Sequence, residues 1–311
     1  MDRKKIHFKP FVIIFVLIIF LIIAIQLFGA ARFETILASH GEIIDGFWSS
    51  ALIVRDEKVV RSPLSAEVKL FAGEGERIAS GEKVAVLKNK NKKQTIYNKE
   101  AGLISFAVDG LESKINIDNL DQINLKKFSD YKADYQHLIS GNSLDKGEEL
   151  YRIINNFKLY VVVPVPESEI ERFQLGELVF LKEKNSERLI DARIKNIKYS
   201  LNKTFFFIEV EQFIPEWSNI RRLNLNIIKN IYRGIKIPRK AVFTQPSGKG
   251  VLKVSGYNKY DFKEVVVLNG NDKHVIVSGI EIGEEIITNP EDFNYGREDW
   301  FKWVKKNYLI I

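Results

Sequence analysis

The chain has 311 residues, room for two or three modest domains, and its 45% hydrophobic and 28% charged content excludes both a disordered chain and one wholly embedded in a membrane. It has no cysteine, which rules out a disulfide scaffold, a thiolate metal site and a cysteine nucleophile, and its four histidines, at 7, 40, 137 and 274, are dispersed. The formal charge of +7 is a mild excess that does not point to nucleic acid.

Residues 11–28 (FVIIFVLIIFLIIAIQLF) have Gln26 as their only polar member. As a helix they would span about 27 Å, close to the hydrocarbon core of a bilayer. The run is longer than the apolar region of a cleaved signal peptide, and Gly29, Ala30 and Ala31 make a poor cleavage site, so a retained transmembrane helix is expected. Arg3, Lys4, Lys5 and Lys9 precede it, which predicts a cytoplasmic N-terminus and a chain whose bulk lies outside the cytoplasmic membrane.

Beyond Ala31 the pattern predicts a mainly β body of short strands separated by Gly, Asn and Asp. Asp109-Gly110 after an apolar run reads as a two-residue hairpin turn. Further hairpins are predicted around 246–250 and 269–272, and strands at 160–163 and 205–210. Two helices are expected. Leu120, Ile123, Phe128, Tyr131, Tyr135 and Leu138 form an imperfect amphipathic stripe, and residues 166–173 open with proline and acids before Gly176.

An internal repeat is the most specific feature. Residues 75–87 (GERIASGEKVAVL) match 141–153 (GNSLDKGEELYRI), with glycines six apart and an alternating strand after the second. Upstream, 65–68 parallels 101–104 as a strand entering each copy. The glycines supply positive-φ turns, and the alternating residues place one face in a shared core. Gly75, Gly81, Gly141 and Gly147 are expected as structural turns, together with Gly102, Gly110, Gly176, Gly279 and Gly283. Valine at Gly81 or Gly147 is expected to unfold the sandwich.

Taken in order, Arg55-Asp56-Glu57, Ser62-Pro63, the two Gly-Glu repeats, Gly176-Glu177-Leu178-Val179, Ile237-Pro238 and residues 279–287 resemble the membrane fusion protein (periplasmic adaptor, HlyD-like) family over roughly residues 40–290. The resemblance implies a lipoyl-like barrel-sandwich hybrid at 59–155, a β-barrel domain at 156–236 and a membrane-proximal β domain at 237–292. These would follow a cytoplasmic tail at 1–10, the transmembrane helix at 11–28 and a linker with the first strands at 29–58, with an aromatic and basic tail at 293–311 closing the chain. Family members often carry a long α-helical hairpin between the sandwich halves, whose tip engages an outer-membrane channel. Here only the polar residues 89–100 join the copies, too few for such a hairpin. The chain therefore resembles a short form, and docking to an outer-membrane channel is not expected.

No cofactor is expected. The only methionine is Met1, so a biotin-type Met-Lys-Met is absent. The lipoyl-like strings at Lys132 and Lys146 fall in a helical segment and in the repeat's own turn. No catalytic triad elbow, phosphate loop or clustered metal ligands stand out, and no enzyme activity is expected. The lysine-rich stretch 88–93 reads as a solvated loop, with attraction for anionic polymers or lipid head groups as the sharper alternative. In the tail, Trp300, Trp303, Lys305, Lys306 and Tyr308 suit contacts at a membrane interface, or else a terminal element packed on the last domain. By resemblance, the chain is expected to be a single-pass, homo-oligomeric adaptor that assembles with a cytoplasmic-membrane transport permease in export. The alternative is an envelope or division-associated scaffold with the same fold and no transported substrate.

Overall fold

The structure, a computed structural model, describes residues 17–20 and 34–290 apart from 91, 247, 257 and 258. Residues 17–20 are helical and exposed, while the rest of the expected span at 11–28 and the whole tail at 293–311 lie outside the described residues. Among the described residues no helix is long and apolar enough to cross a membrane. The chain forms two units, one of residues 44–230 and one that joins the residues up to 43 with those from 231 onward.

In chain order, β1 (Thr35–Leu37) and β2 (Ser39–Arg61) lead into β3 (Ala66–Leu70), β4 (Arg77–Ile78), β5 (Lys83–Lys88), β6 (Lys93–Tyr97), β7 (Gly102–Ser105) and β8 (Ala107–Val108). After an excursion come β9 (Gln136–His137), β10 (Ser143–Leu144) and the long β11 (Glu149–Val165). Then follow β12 (Leu178–Glu183), β13 (Ile190–Ser200), β14 (Lys203–Val210) and β15 (Arg222–Pro238). The last six are β16 (Phe243–Gln245), β17 (Gly248–Gly256), β18 (Lys259–Glu264), β19 (Val266–Gly270), β20 (His274–Ser278) and β21 (Glu285–Ile287). Of the two α-helices expected from the sequence, neither forms. Residues 117–122 and 125–130 make two 3-10 turns broken by non-helical backbone, and Glu167–Arg172 makes a third.

Within the larger unit, β2, β11, β14, β13, β12 and β15 pair in a closed ring, since β2 pairs with both β11 and β15. Alternation fills the ring. Ala51 and Ile53, Val161 and Val163, Ile190, Ala192 and Ile194, Phe206 and Ile208, and Leu225 and Ile227 all point into one buried core with Trp217. Gly46 lets β2 close against β15, because a Cβ there would collide with the Ile227 carbonyl. The residues between these, Leu52, Val54, Val162, Phe205 and Phe207, face outward and are nevertheless buried. Their cover is the excursion between β8 and β9. Leu111, Ile115, Ile123 and Phe128 lie on that outer face as a strap, with the Arg222 guanidinium 4.5 Å from the Phe128 ring centroid and its Nε donating to the Tyr131 carbonyl. Asp109-Gly110 is thus not a hairpin turn. Val108 pairs with Gln136, and Asp109 accepts from the Leu111 N–H to start the strap.

The sandwich lies on the other stretch of β2 and β11. One sheet runs β10-β3-β5-β6; the facing layer holds β4, β7 and the first residues of β11, with Val68, Ile78, Val84, Leu87, Ile104 and Tyr151 buried between them. Its two halves are intertwined. Ser143 and Leu144 of β10 pair with Glu67 and Ala66, while Arg77 and Ile78 of β4 pair with Leu103 and Gly102. Each half thus grips the strand that enters the other, so neither copy closes its core alone. β5 and β6 form a plain β-hairpin whose turn is closed by the Asn89 N–H donating to the Lys92 carbonyl.

In the smaller unit, β1, β21, β17, β16 and β18 form one sheet, and β19, β20 and the second part of β15 form another layer. Ala38, Ile237, Val251, Val275, Val277 and Ile286 make its core. The hairpins predicted around 246–250 and 269–272 are β16–β17 and β19–β20.

Candidate functional site

One turn recurs at 73–76, 79–82, 139–142, 145–148, 174–177 and 281–284. Its third residue is a positive-φ glycine, namely Gly75, Gly81, Gly141, Gly147, Gly176 and Gly283. The fourth is Glu, or Asn at 142, whose side chain accepts from the N–H of the first residue. The glycine N–H and the next carbonyl then bond both backbone groups of a single residue in or beside another strand. Those residues are Ile104, Asn98, Val68, Ser62, Ile194 and Ala38 respectively. The glutamates of the Gly-Glu motif are therefore clasps for the strand ends rather than free edge charges. Gly110 (φ 73°) and Gly279 (φ 103°) also adopt the left-handed region. Gly102 does not lie at a turn. It is a buried β7 residue whose Cβ would stand 2.6 Å from an Ile153 methyl.

At Gly81 (φ 83°) and Gly147 (φ 91°) an added Cβ meets nothing within 4 Å. Alanine there is expected to cost about 1–2 kcal/mol in left-handed strain and leave the sandwich folded. Urea midpoints of G81A and G147A against G102A, expected to be the lowest because its Cβ has no room, check this.

The densest polar arrangement lies where the barrel strands run on into the sandwich. Ala51 and Ile53 point into the barrel, and the same side of β2 continues as Arg55 and Glu57, both buried. Arg152 of β11, Asp109 at the start of the strap, and Arg221 just before β15 join them with side-chain exposures of 0%. Arg55 donates to Glu57 (3.2 Å), to Asp109 (3.2 Å) and to the Trp217 and Ile220 carbonyls (3.1 and 2.7 Å). Arg221 donates to Glu57 (2.5 Å), to both Asp109 oxygens (2.8 and 3.0 Å) and to the Ile53 carbonyl. Arg152 donates to Glu57 (2.9 Å), to the Ser218 carbonyl and to Asn219 Oδ1 (2.7 Å). Asn219 in turn accepts from Ser105 and donates to Glu74, whose other oxygen accepts from the Phe106 N–H. The barrel loop 217–221 is thereby tied to the sandwich and the strap at one ionic joint.

Burial alone would raise the Glu57 carboxyl, but three converging guanidiniums outweigh it and hold the group at about 2. Burial lowers Arg55 to about 10, whereas Arg221, buried too, is pushed above its ordinary value by Glu57 and Asp109. Glu112, which accepts from the Asp109 N–H, is raised mainly by burial. The joint thus keeps Glu57, Arg55 and Arg221 ionised throughout the neutral range, which suits a fixed coupling rather than proton transfer.

In the sequence, Arg55-Asp56-Glu57 carries only a resemblance, Asp109 reads as a turn residue and Arg152 as part of the repeat, and Arg221 is unmarked. The available signal was charge at positions of apolar parity, as in Ile53-x-Arg55-x-Glu57 and within the apolar run 150–154. His40 and His137 are exposed and His274 is half-buried, and among the described residues no group of three histidines or acids could hold a metal. Lys132 lies just past the strap's second 3-10 turn and Lys146 in a clasp turn, both exposed. The expected interface residues Trp300, Trp303, Lys305, Lys306 and Tyr308 lie outside the described residues.

Residues 57–155 match the model of an RND-related barrel-sandwich hybrid domain, and residues 159–231 that of an RND-related β-barrel domain, together more than half of the chain. No curated protein matches the sequence. Among solved structures, ZneB from Cupriavidus metallidurans is similar at 9% identity, over 83% of this chain and 92% of that one, with a TM-score of 0.38. MacA from Actinobacillus actinomycetemcomitans is similar at 13% identity, over 83% and 100%, with a TM-score of 0.36. The membrane fusion protein Spr0693 from Streptococcus pneumoniae is similar at 11% identity, over 59% and 99%, with a TM-score of 0.32.

Proposed function

This chain belongs to the membrane fusion, or adaptor, protein family, and we propose that it is a non-catalytic, membrane-anchored adaptor assembling with a transport permease on the outer side of the cytoplasmic membrane. The observation that carries this reading is the pair of matched domains in sequence, the sandwich and the barrel of RND-related adaptors, held together by the ionic joint. The apolar stretch at 11–28 with its basic flank supports a single-pass anchor with the N-terminus inside. A joint that fixes the sandwich on the barrel suits a spacer that transmits position, and the plain β5–β6 hairpin argues against engagement of an outer-membrane channel.

The experiment is crosslinking in cells, purification of the intact chain in mild detergent, and identification of its partners by mass spectrometry. Stoichiometric recovery of a polytopic permease is the expected result. Recovery of division or wall-assembly proteins with no permease would overturn the transport reading in favour of an envelope scaffold.

A further inference from the structure

The exposed side of the β3-β5-β6 sheet is unusually basic. Lys69, Lys83, Lys88 and Lys93 stand on it, and Lys90 and Lys92 follow at the hairpin turn, all exposed. Glu67 is the single acid in these strands' outward rows, and among the described residues none of these lysines is ion-paired. Lysines elsewhere on the same unit do pair, as Lys58 does with Glu100, Lys182 with Glu187, Lys198 with Asp121 and Lys229 with Glu177. Lys88 stands in the ladder directly opposite Lys93 on one side and Glu67 on the other, so Glu67 offsets only one of the two outward lysines that repel each other there. The exposed Phe71 ring holds two of these ammonium groups over the sheet, with Lys83 Nζ at 3.3 Å and Lys69 Nζ at 5.4 Å from its centroid.

We propose that this face docks an extended phosphodiester polymer with a sugar or polyol backbone. The charges stand on an open sheet face rather than around a cleft, which suits many shallow contacts with a polyanion and offers little grip to one small anion. Neutralising several phosphates releases their counterions, which is the dominant favourable contribution for such surfaces. It also relieves the Lys88–Lys93 repulsion that the bare fold tolerates. The choice of a sugar or polyol polymer over nucleic acid rests on the extracytoplasmic placement proposed above. The binding itself is measured on purified protein and does not depend on which partners are recovered from cells.

The full chain in non-ionic detergent is titrated with polyglycerol phosphate of defined length, and with an oligothymidylate carrying the same number of phosphates, between 50 and 200 mM salt. Binding of polyglycerol phosphate that weakens with salt is expected. Lys88→Glu combined with Lys93→Glu is expected to weaken it at least about tenfold and to lower the slope of log K against log salt by about one to two. Lys203→Glu, an exposed lysine opening β14 on the barrel, is the matched control and is expected to leave binding near the native value. The proposal is overturned if the native chain shows no salt-dependent binding, if K88E/K93E behaves like K203E, or if oligothymidylate binds more tightly than the polyol polymer. A change in the sedimentation of the free protein caused by K88E/K93E would also overturn it, since the face would then be occupied by a second copy.

Discussion

Glu57→Gln is expected to lower the stability of the sandwich-and-barrel unit by about 3–5 kcal/mol, the loss typical when one partner is removed from a buried ionic set. Glu57 is the carboxylate on which Arg55, Arg152 and Arg221 converge. Without its charge, three buried guanidiniums share Asp109 and a weakened acceptor, and the desolvation of each stays uncompensated. The acid side offers an independent route to the same quantity. Glu57 has a folded value of about 2 against an ordinary value of 4.5, so its contribution is present above about pH 4.5 and is lost as pH falls through the folded value. That difference corresponds to about 3 kcal/mol. Glu209, beside Lys158 and Lys195, and Glu284, beside Lys253 and Lys263, are also held low, so the native protein loses additional stability in the same window. The difference between native and E57Q urea midpoints isolates Glu57. It is expected to be large at pH 7 and to shrink steadily below pH 4.5. Curves that stay parallel down to pH 2.5 would sink the ionic account of the joint.

Phe128→Ala is expected to cost about 3–5 kcal/mol, as for other buried aromatic truncations. Phe128 is 7% exposed, packs on Phe205 with ring centroids 5.2 Å apart and lies under the Arg222 guanidinium. The 3-10 turns of the strap have few hydrogen bonds of their own, so its order rests on this packing. Limited proteolysis at Lys126 and Lys127 is therefore expected to accelerate in F128A, while the barrel interior around Trp217 stays protected. If the strap is cut no faster and the midpoint does not move, the outer face of the barrel does not need this cover.

The repeat was readable because its signal is local. Glycines six apart, followed by an alternating strand, state where the chain turns and which side is apolar, and the left-handed backbone at Gly81 and Gly147 is a property of those few residues. The adaptor resemblance followed from the order of such local pieces. The same locality misled elsewhere. Asp109-Gly110 has hairpin chemistry, but the Asp109 carboxylate goes to Arg55 and Arg221, residues 54 and 112 positions away, and the chain leaves to form the strap. The stripe from Leu120 to Leu138 has nearly helical spacing, yet Leu120, Ile123, Phe128 and Tyr131 settle on the outer face of the barrel around broken 3-10 turns, while Leu138 packs on the sandwich core.

By itself the sequence determined the β character, the paired Gly-Glu turns, the apolar stretch at 11–28 and the shortness of the link between the sandwich halves. Each depends on neighbours within a few positions, where backbone preference and alternation act directly. Only the tertiary structure decided that each half clasps the strand of the other, that Phe205 and Phe207 are covered from outside, and that Glu57 gathers three arginines. Those outcomes come from pairings between residues tens of positions apart. A buried charge can be recognised as paired only when the fold has brought its partners within hydrogen-bond distance and taken the water away.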